Sequence, residues 1–266
     1  MQSDIEKSII KTYRKDIWRK FTKAITEYEL IKDNDKIAVC ISGGKDSFLM
    51  AKCFQELKKH GKINFELEFI VMDPGYNEEN SKIIKENAKL LGIPIKVYDS
   101  LIFSALQNMD LKSPCYMCAR MRRGHLYKIA KDLGCNKIAL GHHYNDVIET
   151  ILLGMFYNGE IVSMLPKIKS KNFLGMELIR PLYLVREASI YNWMNYNNLK
   201  FINCACPLKQ EDSKRKEIKE LIKELKKTNK YIEYNIFKSV ENVNINQIMG
   251  YYDFDKRYNY YDDYEK

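Results

Sequence analysis

The sequence predicts an α/β protein: a doubly wound parallel sheet with an N-terminal helix and helical additions towards the C-terminus. The first observation is that short apolar runs alternate with longer segments of helical spacing, as in βαβ units. The second is that polar residues and glycines directly follow several of these runs, at the carboxyl ends where such sheets bind ligands. The third is the length of 266 residues, which suffices for one large domain with additions.

The N-terminal segment is predicted to be a helix. From about Ser3 to Leu30, apolar residues recur at helical spacing, while lysines and arginines occupy the other faces. The simpler interpretation is an amphipathic helix with a solvated basic face. The alternative is contact of this face with RNA phosphates, which supply much of the affinity for nucleic acids.

A strand, a tight turn and a helix are expected next. The apolar run Lys36–Val39 leads into the segment CISGGKDS at 40–47, and an amphipathic stretch continues from 48 to 57. Gly43 and Gly44 allow backbone conformations that a Cβ atom forbids, and so allow close approach to a bound group. This order of elements predicts a turn whose amides point into a concavity at a helix N-terminus.

The turn has the chemistry of a phosphate site. The helix start favours an anion, Lys45 adds a positive charge, and Ser42 and Ser47 add hydroxyl donors. The spacing is not the Walker pattern, which needs four residues between its first glycine and its Gly-Lys pair. Taken alone, the turn is as compatible with an ordinary strand-to-helix connection as with phosphate binding.

Further strands and a crossover helix complete the predicted sheet. Asp73 and Gly141 follow the second and fourth strands, so they are expected at the same sheet edge as Ser42. Asp73 is a candidate for the nucleotide site, and the equally weighted alternative is that it caps the following turn. The predicted strands lie at 65–72, 95–98 and 136–140, and the helix at 77–91.

The segment GHHYNDVIET at 141–150 follows the fourth strand. Asp146 and Glu149 are three residues apart, so we expect them on one helical face, directed towards the phosphate loop. Paired histidines beside acids suggest zinc, but the HxxxH and HExxH spacings are absent. By itself such a cluster is more often a helix cap than a metal site.

Composition is that of an ordinary soluble protein, with 45% hydrophobic and 30% charged residues. No apolar run approaches the roughly 20 residues that span a bilayer, and the N-terminus lacks the apolar core of a signal peptide. We therefore expect a cytoplasmic protein with no membrane partner. The net charge of +9 is compatible with binding of a polyanion. A codon bias towards Lys, Asn, Ile and Tyr also produces such a charge, so the charge alone is weak support for nucleic-acid binding.

Seven cysteines in such a protein indicate metal or redox chemistry rather than a disulfide framework. Cys115 and Cys118 form a CxxC pair, which suits redox, zinc or iron–sulfur roles. Cys204 and Cys206 form a distant CxC pair, and a buried structural role for all four is an alternative. The cysteines in apolar contexts are interpreted as core residues: Cys40, Cys53 and Cys135.

Together these motifs resemble the PP-loop ATP pyrophosphatases, and within them the tRNA 2-thiocytidine synthetase family. The resemblance rests on SGGKDS at 42–47, a CxxC followed by ARMRRG at 115–124, GHHxxDxxET at 141–150 and the distal Cys-Pro at 206–207. It covers about residues 15 to 250. It implies the adenine nucleotide alpha hydrolase-like fold and an enzyme that cleaves ATP between its α and β phosphates and places AMP on a substrate oxygen.

The resemblance also implies a nucleotide site. Asp46 and Asp146 are implied to be catalytic and to hold Mg²⁺, which bridges phosphate oxygens and neutralises charge on the leaving pyrophosphate. The implied ATP and pyrophosphate ligands are Ser42, Gly43, Gly44, Lys45, Asp46, Ser47, Asp73, Gly141 and His142.

The same resemblance implies an oxygen-sensitive [4Fe-4S] cluster on three cysteines, with a fourth iron open for sulfur. Cys115 and Cys118 are two implied ligands and catalytic residues, and Cys206, which precedes a proline, is the third, with Cys204 as the alternative. Two departures from the family pattern are visible. The distal motif reads CACP rather than a CxxCGSQ-like pattern, and Asn145 stands where an acid is common, which leaves the third ligand and the substrate open.

Arg120, Arg122 and Arg123 follow the CxxC closely. The simpler interpretation is a solvated or ion-paired helix face. The alternative is that their planar donors hold RNA phosphates or sulfide-bearing intermediates. The partners implied by the resemblance are tRNA, a sulfur donor (sulfide or a cysteine desulfurase persulfide) and a second copy of the chain in a homodimer.

The sequence thus predicts four parts: a helical extension at 1–32, a PP-loop ATP-binding domain at 33–200, a distal cysteine motif with helices at 201–250, and a flexible tail at 251–266. The expected function is ATP-dependent sulfur transfer to a tRNA base, with cytidine converted to 2-thiocytidine. One alternative is a PP-loop enzyme that adenylates a small molecule. Another is a non-catalytic protein that binds ATP and zinc.

Overall fold

The computed structural model describes residues 2–107, 114–202, 214–253 and 255–264, with the side chains of 107, 114–116 and 263 left aside. A six-stranded sheet forms its centre. In chain order the strands are β1 (Asp35–Ile41), β2 (Phe65–Asp73), β3 (Ile95–Asp99), β4 (Lys137–Ala139), β5 (Lys167–Lys169) and β6 (Glu177–Ile179). The spatial order is β3-β2-β1-β4-β6-β5, and all neighbours are parallel except β5 and β6. The doubly wound fold and its four predicted strands are confirmed.

The strand order reverses beside β1. Strands β2 and β3 lie on one side of β1, and β4 and β6 lie on the other. Val39 pairs with Ala139 in the parallel register of β1 and β4. The residues that follow these two strands therefore emerge side by side at the switch point, where open α/β sheets bind ligands.

The first strand is the most deeply buried part of the sheet. Ile37, Ala38 and Val39 have no exposed surface, so the strand reads as a continuous apolar run rather than an alternating one. Such burial on both faces requires helices above and below a parallel sheet. Helices α1 (Gln2–Lys7) and α2 (Arg19–Glu27) precede this strand. The helices after it are α3 (Lys45–His60), α4 (Glu78–Leu91), α5 (Ile102–Gln107), α6 (Pro114–Asp132), α7 (Tyr144–Leu153) and α8 (Glu187–Tyr196).

The N-terminal segment is helical but interrupted. Helix α1 (Gln2–Lys7) and helix α2 (Arg19–Glu27) are separated by two π-helical stretches, Ser8–Thr12 and Arg14–Trp18, which meet at Tyr13. The predicted single helix is therefore wrong in detail. Ile9, Ile17 and Phe21 are fully buried, because the segment packs on the same compact unit as the sheet.

The chain divides into two compact units. The first comprises Met1–Val147 and Met164–Ser213, and the second Ile148–Ser163 and Lys214–Lys266. The second unit contains helices α9 (Lys214–Thr228) and α10 (Ile232–Ser239), the strands β7 (Gly250–Asp253) and β8 (Lys256–Asn259), and short π-helical or 3₁₀ turns at Gly154–Asn158, Ile245–Gln247 and Tyr260–Asp263.

The last part of the chain has regular structure, which the prediction of a flexible tail missed. Strands β7 and β8 form an antiparallel hairpin. Tyr251 and Tyr258 are cross-strand partners, and their rings stack with centroids 4.9 Å apart. Such aromatic pairs stabilise two-stranded sheets, and the tyrosines that lacked a helical pattern thereby have a role. Across the described ranges, the model contains no helix long and apolar enough to cross a bilayer.

Candidate functional site

The phosphate-type loop connects β1 to α3. Gly43 has a φ of +91°, and a Cβ atom there would overlap Ile202 and lie 2.9 Å from Ile84 Cγ1. Gly44, by contrast, has an extended φ of −81°, and a Cβ atom there would meet only Ser42 Oγ, at 3.8 Å. The conformational argument for both glycines is therefore right for Gly43 and wrong for Gly44.

The two loop serines have different roles. Ser47 is buried, and its hydroxyl donates to the Gly44 carbonyl at 2.8 Å and accepts from the Ser42 amide at 3.2 Å. These bonds close the loop onto the first turn of α3. Ser42 is exposed, and its hydroxyl donates to the Ser47 hydroxyl at 3.4 Å, so it belongs to the same network and also borders solvent.

The end of β4 packs directly on this loop. An added Cβ atom at Gly141 would lie 3.1 Å from the Ser47 amide nitrogen and 3.2 Å from the carbonyl carbon of Asp46. Backbone atoms at the start of a helix cannot move aside cheaply. An alanine at 141 would therefore force the start of α3 to shift, and the two sequence motifs meet at the switch point.

A buried imidazole joins the acids of both motifs. His143 is only 4% exposed, and its Nδ1 lies 3.4 Å from Asp146 Oδ2. Its Nε2 lies 3.9 Å from Asp46 Oδ1 and 3.7 Å from Glu187 Oε1. The structure thus brings Asp46 and Asp146 together, and adds His143 and Glu187, which the sequence analysis had not assigned to the site. The second histidine of the GHH motif was the available signal.

Burial and charge shift the pKa values of this cluster. Burial raises the pKa of Asp46, only partly offset by the positive charges of His143 and Lys45, and the charge of Asp146 raises it further. For His143, burial lowers the pKa, but the nearby carboxylates of Glu187, Asp146 and Asp46 outweigh it and raise the pKa overall. Asp46 Oδ1 is buried and has no hydrogen-bond partner among the described residues, so it is available to a cation.

Lys45 is held by groups from α3 and α8. Its Nζ lies 3.2 Å from Asp46 Oδ2, 3.2 Å from Glu187 Oε1 and 4.3 Å from the centre of the Tyr191 ring. Burial lowers the pKa of Lys45, but the charges of Asp46 and Glu187 raise it overall. Lys45 is therefore positively charged, and its ammonium lies at the phosphate-type loop.

Asn145 connects the GHH segment to α8. Its side-chain oxygen accepts a hydrogen bond from the Glu187 amide at 3.0 Å. A carboxylate at this position could accept the same bond, so the departure from the family pattern preserves the contact. This contact places Glu187 beside His143.

Two predicted acidic residues have other partners. Asp73 accepts hydrogen bonds from the amides of Gly75 and Tyr76, at 2.8 and 2.6 Å, so it caps its own turn. Glu149 pairs with Arg215 and Lys219 of α9 within the second unit, and the expectation that it points towards the phosphate loop stays a prediction. The nucleotide role of Asp73 stays a prediction.

Two cavities adjoin the loop. The strand-end cavity, of about 420 Å³, is lined by residues that end β1, β2 and β4, by one face of α6, and by Ser47, Gly141, His142 and Asp146. The α8 cavity, of about 990 Å³, is lined by Gly44, Lys45 and residues of α8 and the segment after it. The residues shared by both cavities are Ser42, Asp46 and Arg122.

The arginines after the CxxC do not act as one group. Arg122 lines both cavities, and its Nη2 donates to the Tyr76 hydroxyl at 3.4 Å. Arg123 lines the strand-end cavity, whereas Arg120 is exposed and lines neither. Arg122 is therefore the one of the three that borders both cavities, and the RNA-binding role of these arginines stays a prediction.

The predicted cluster ligands are described only in part. Cys118 is buried among Met72, Ile102, Phe103 and Leu106. Cys115 lies in the first turn of α6, three residues before Cys118. Its side chain lies outside the described residues, and so do the whole of Cys204 and Cys206. Within the described ranges, no three His, Cys, Asp or Glu side chains are grouped so that they could hold a metal ion.

The remaining cysteines lie in the core. Cys40, Cys53 and Cys135 are buried, as expected from the sequence. Burial raises the pKa of all three thiols, that of Cys135 to about 11. They are therefore protonated and unsuited to metal binding or nucleophilic attack.

Comparisons with known proteins identify the family of this chain. A family model described as PP-loop domain matches residues 13–225. The tRNA-cytidine(32) 2-sulfurtransferase of Pelobacter propionicus is 36% identical over 224 residues, which cover 83% of each chain. That of Paraburkholderia xenovorans is 34% identical over 242 residues, or 89% of this chain and 71% of the relative.

A solved structure supports the fold independently. The U34-tRNA thiolase NcsA from Methanococcus maripaludis, described with its [4Fe-4S] cluster, superposes with a TM-score of 0.69. The match covers 84% of this chain and 76% of that one, at 24% sequence identity. At that identity the likeness bears on the fold alone.

Proposed function

This chain belongs to the PP-loop family that contains the tRNA-cytidine(32) 2-sulfurtransferases, and on that premise we propose that it thiolates a tRNA cytidine in an ATP-dependent reaction. One observation carries the proposal. The SGGKDS loop, Gly141 and the His143 cluster meet at the switch point of a chain that is 36% identical to such an enzyme across most of its length.

ATP is proposed to span the strand-end cavity and the loop. The ends of β1, β2 and β4 supply apolar walls through Ile41, Met72 and Leu140, which suit an adenine ring. The amides at the start of α3 and the charge of Lys45 suit the β and γ phosphates. This arrangement leaves the α-phosphorus near Ser42 and Asp46, where the two cavities join.

Mg²⁺ fits the acids of the cluster. Asp46 Oδ1 is buried without a hydrogen-bond donor among the described residues, and Asp146 lines the same strand-end cavity as Asp46. Carboxylate oxygens are the donors that Mg²⁺ prefers. We propose that Asp46 and Asp146 hold the ion, which when bound would neutralise charge on the phosphates.

The proposed reaction has two displacements. The 2-oxygen of cytidine attacks the α-phosphorus of ATP, the bond to the bridging oxygen breaks, and pyrophosphate leaves with the electron pair. Hydrosulfide then adds to C2 of the base and gives up its proton, the C2–O bond breaks, and AMP leaves with the electron pair of that bond. Lys45 and the loop amides stabilise the charge that develops on pyrophosphate, because they are positioned before the reaction begins.

The cysteines fit an iron–sulfur cluster by their chemistry. Cys118 is a soft donor in an apolar environment one helical turn from Cys115, and a third thiolate would come from Cys206 or Cys204. A cluster bound there would supply a site for carrying sulfur. The sulfur donor, the homodimer and a cytoplasmic location are further parts of the proposal.

The ligand set is tested on protein purified without oxygen, by visible absorption and iron content. We expect a brown wild-type protein that loses its visible band in Cys115→Ala and in Cys118→Ala. Cys206→Ala should also lose the visible band, and Cys204→Ala should retain it. Loss of the band in Cys204→Ala but not in Cys206→Ala would make Cys204 the third ligand. A colourless protein that contains zinc would contradict the cluster and favour a binding protein.

The function is tested with the same anaerobic protein, ATP, Mg²⁺, sulfide and unmodified tRNA. We expect RNA-dependent AMP release and 2-thiocytidine in the nucleoside digest. Lys45→Met should lose both products, whereas Lys58→Met, an exposed lysine later in α3, should retain them. AMP release that needs no RNA would favour a small-molecule substrate, and the absence of AMP and thiolation would refute the proposal.

A further inference from the structure

The α8 cavity contains a tyrosine that the proposed ATP site does not use. Tyr191 lies on α8, lines this cavity and is 45% exposed. One face of its ring is covered by the Lys45 ammonium, 4.3 Å from the ring centre. A large, exposed aromatic ring beside a phosphate loop is suited to stacking with another planar group.

The surroundings of Tyr191 suit a nucleotide that carries its own phosphates. Asn195 and Asn198, both exposed, add amide donors and acceptors to the cavity wall, and Arg122 and Lys200 add positive charge. Asn198 has a φ of +52°, which a residue other than glycine adopts at a local cost. Amides can read the edge of a base, and basic side chains can hold its phosphates.

We infer that Tyr191 is the stacking platform for the base that the RNA substrate inserts into the α8 cavity, and that ATP uncovers this platform by drawing Lys45 onto its phosphates. The inference rests on the proposed function and identifies the subsite of its second substrate. The strand-end cavity, with its apolar walls, is assigned to the adenine of ATP, so the two planar groups occupy different cavities.

The coupling follows from the contacts of Lys45. Its single ammonium now contacts Asp46, Glu187 and the Tyr191 ring. A cation over an aromatic ring is worth about two- to thirtyfold in an equilibrium constant, so a base that stacks on the same face must overcome this contact. Phosphates on the loop attract the same ammonium more strongly than a neutral ring does. Binding of ATP therefore lowers the cost of stacking a base.

The test measures RNA binding by the full-length protein with and without the non-cleavable analogue AMPCPP. Two labelled anticodon stem-loops are compared, one with cytidine at position 32 and one abasic at that position. For the wild type we expect the analogue to strengthen binding of the cytidine RNA about two- to thirtyfold relative to the abasic RNA, which is the amount by which the Lys45 contact disfavours stacking.

Three variants identify the platform. Tyr191→Leu should lose the analogue-dependent preference for cytidine, and Tyr191→Phe should retain it because the ring remains. Tyr196→Leu is the matched control: Tyr196 is 59% exposed on the same helix, packs edge-on against Tyr13 and does not line the cavity. Circular dichroism verifies that each variant is folded.

The outcomes separate this inference from the proposed function. A wild type without the preference, or a Tyr191→Leu variant that keeps it, overturns the inference. If the same wild-type preparation still thiolates tRNA, only the platform is wrong. If it neither thiolates tRNA nor releases AMP, the proposed function fails as well.

Discussion

Lys45 and Glu187, 142 residues apart in the sequence, form an ion pair in which Nζ lies 3.2 Å from Oε1. The same carboxylate oxygen lies 3.7 Å from His143 Nε2, so one acid from α8 contacts both the lysine and the histidine at the loop. Glu187 is therefore placed to position Lys45 and His143.

The first prediction concerns Glu187→Gln. The nearby carboxylate of Glu187 raises the pKa of His143, so the substitution should lower that pKa. Proton NMR titration without ATP or Mg²⁺ checks this, since the chain has only four histidines to assign. Glu79→Gln, an exposed acid on α4, is the control. An unchanged His143 titration in Glu187→Gln would contradict the assignment.

The second prediction concerns Gly141→Ala. The added methyl group meets backbone atoms of Asp46 and Ser47, so the start of α3 must shift. We expect a loss of about 1–3 kcal/mol in the free energy of unfolding, and weaker ATP binding. Urea unfolding and isothermal titration measure the two effects.

Gly124→Ala is the matched control for that variant. Gly124 lies inside α6, and a Cβ atom there meets nothing within 4 Å. This variant should be more stable than the wild type by about 0.5–1 kcal/mol, because alanine loses less conformational entropy on folding. Equal stabilities of the two variants would mean that the loop tolerates the methyl group.

How far the sequence predicts this site depends on the distance between its residues. The loop at 42–47 and the segment at 141–150 were recognised because each is a contiguous pattern after an apolar run. Their meeting followed from the parallel sheet, whose strand ends share one edge. Glu187 and Tyr191 were not predicted, since they follow no motif and reach Lys45 only through tertiary packing.

Fold details were missed for similar physical reasons. Strands β5 and β6 have three residues each, too few to show a strand pattern. The apolar stripe of α9 is only half buried: Ile218 and Ile222 are buried, but Leu221 and Leu225 are each 37% exposed. Helical periodicity predicts which residues share a face, whereas burial depends on what packs against that face.

The third prediction contrasts the two loop glycines by stability alone. Gly43→Ala places a methyl group at a positive φ and against Ile84 and Ile202, so we expect a clear loss in unfolding free energy, about 1–3 kcal/mol. Gly44→Ala has an ordinary φ and open space, so its stability should stay within about 0.5 kcal/mol of the wild type. Urea denaturation measures both, and a Gly44→Ala variant as unstable as Gly43→Ala would contradict the conformational argument.

The last prediction concerns pH and the ion pairs that join α1 to α3. Burial alone would raise the pKa of Glu6, but hydrogen bonds from Lys52 and Lys59, both at 2.8 Å, lower it to about 2. A carboxyl group with a lowered pKa in the folded state stabilises that state above its unfolded pKa, and the contribution is lost as the pH falls towards the folded pKa.

Glu6→Gln should therefore destabilise the protein at pH 7, and the difference from the wild type should shrink as the pH falls below about 5. Because Glu6 is partly solvated while the side chain of Lys52 is fully buried, we expect the free energy of unfolding to fall by about 1–2 kcal/mol at pH 7. Unfolding in urea at several pH values between 7 and 4 measures the difference.

The control is Glu86→Gln. The exposed carboxylate of Glu86 lies 3.9 Å from Lys82, so this variant should change stability by less than about 0.5 kcal/mol at every pH. A Glu6→Gln difference that stays constant between pH 7 and 4 would show that the lost stability comes from packing rather than from the charge of Glu6.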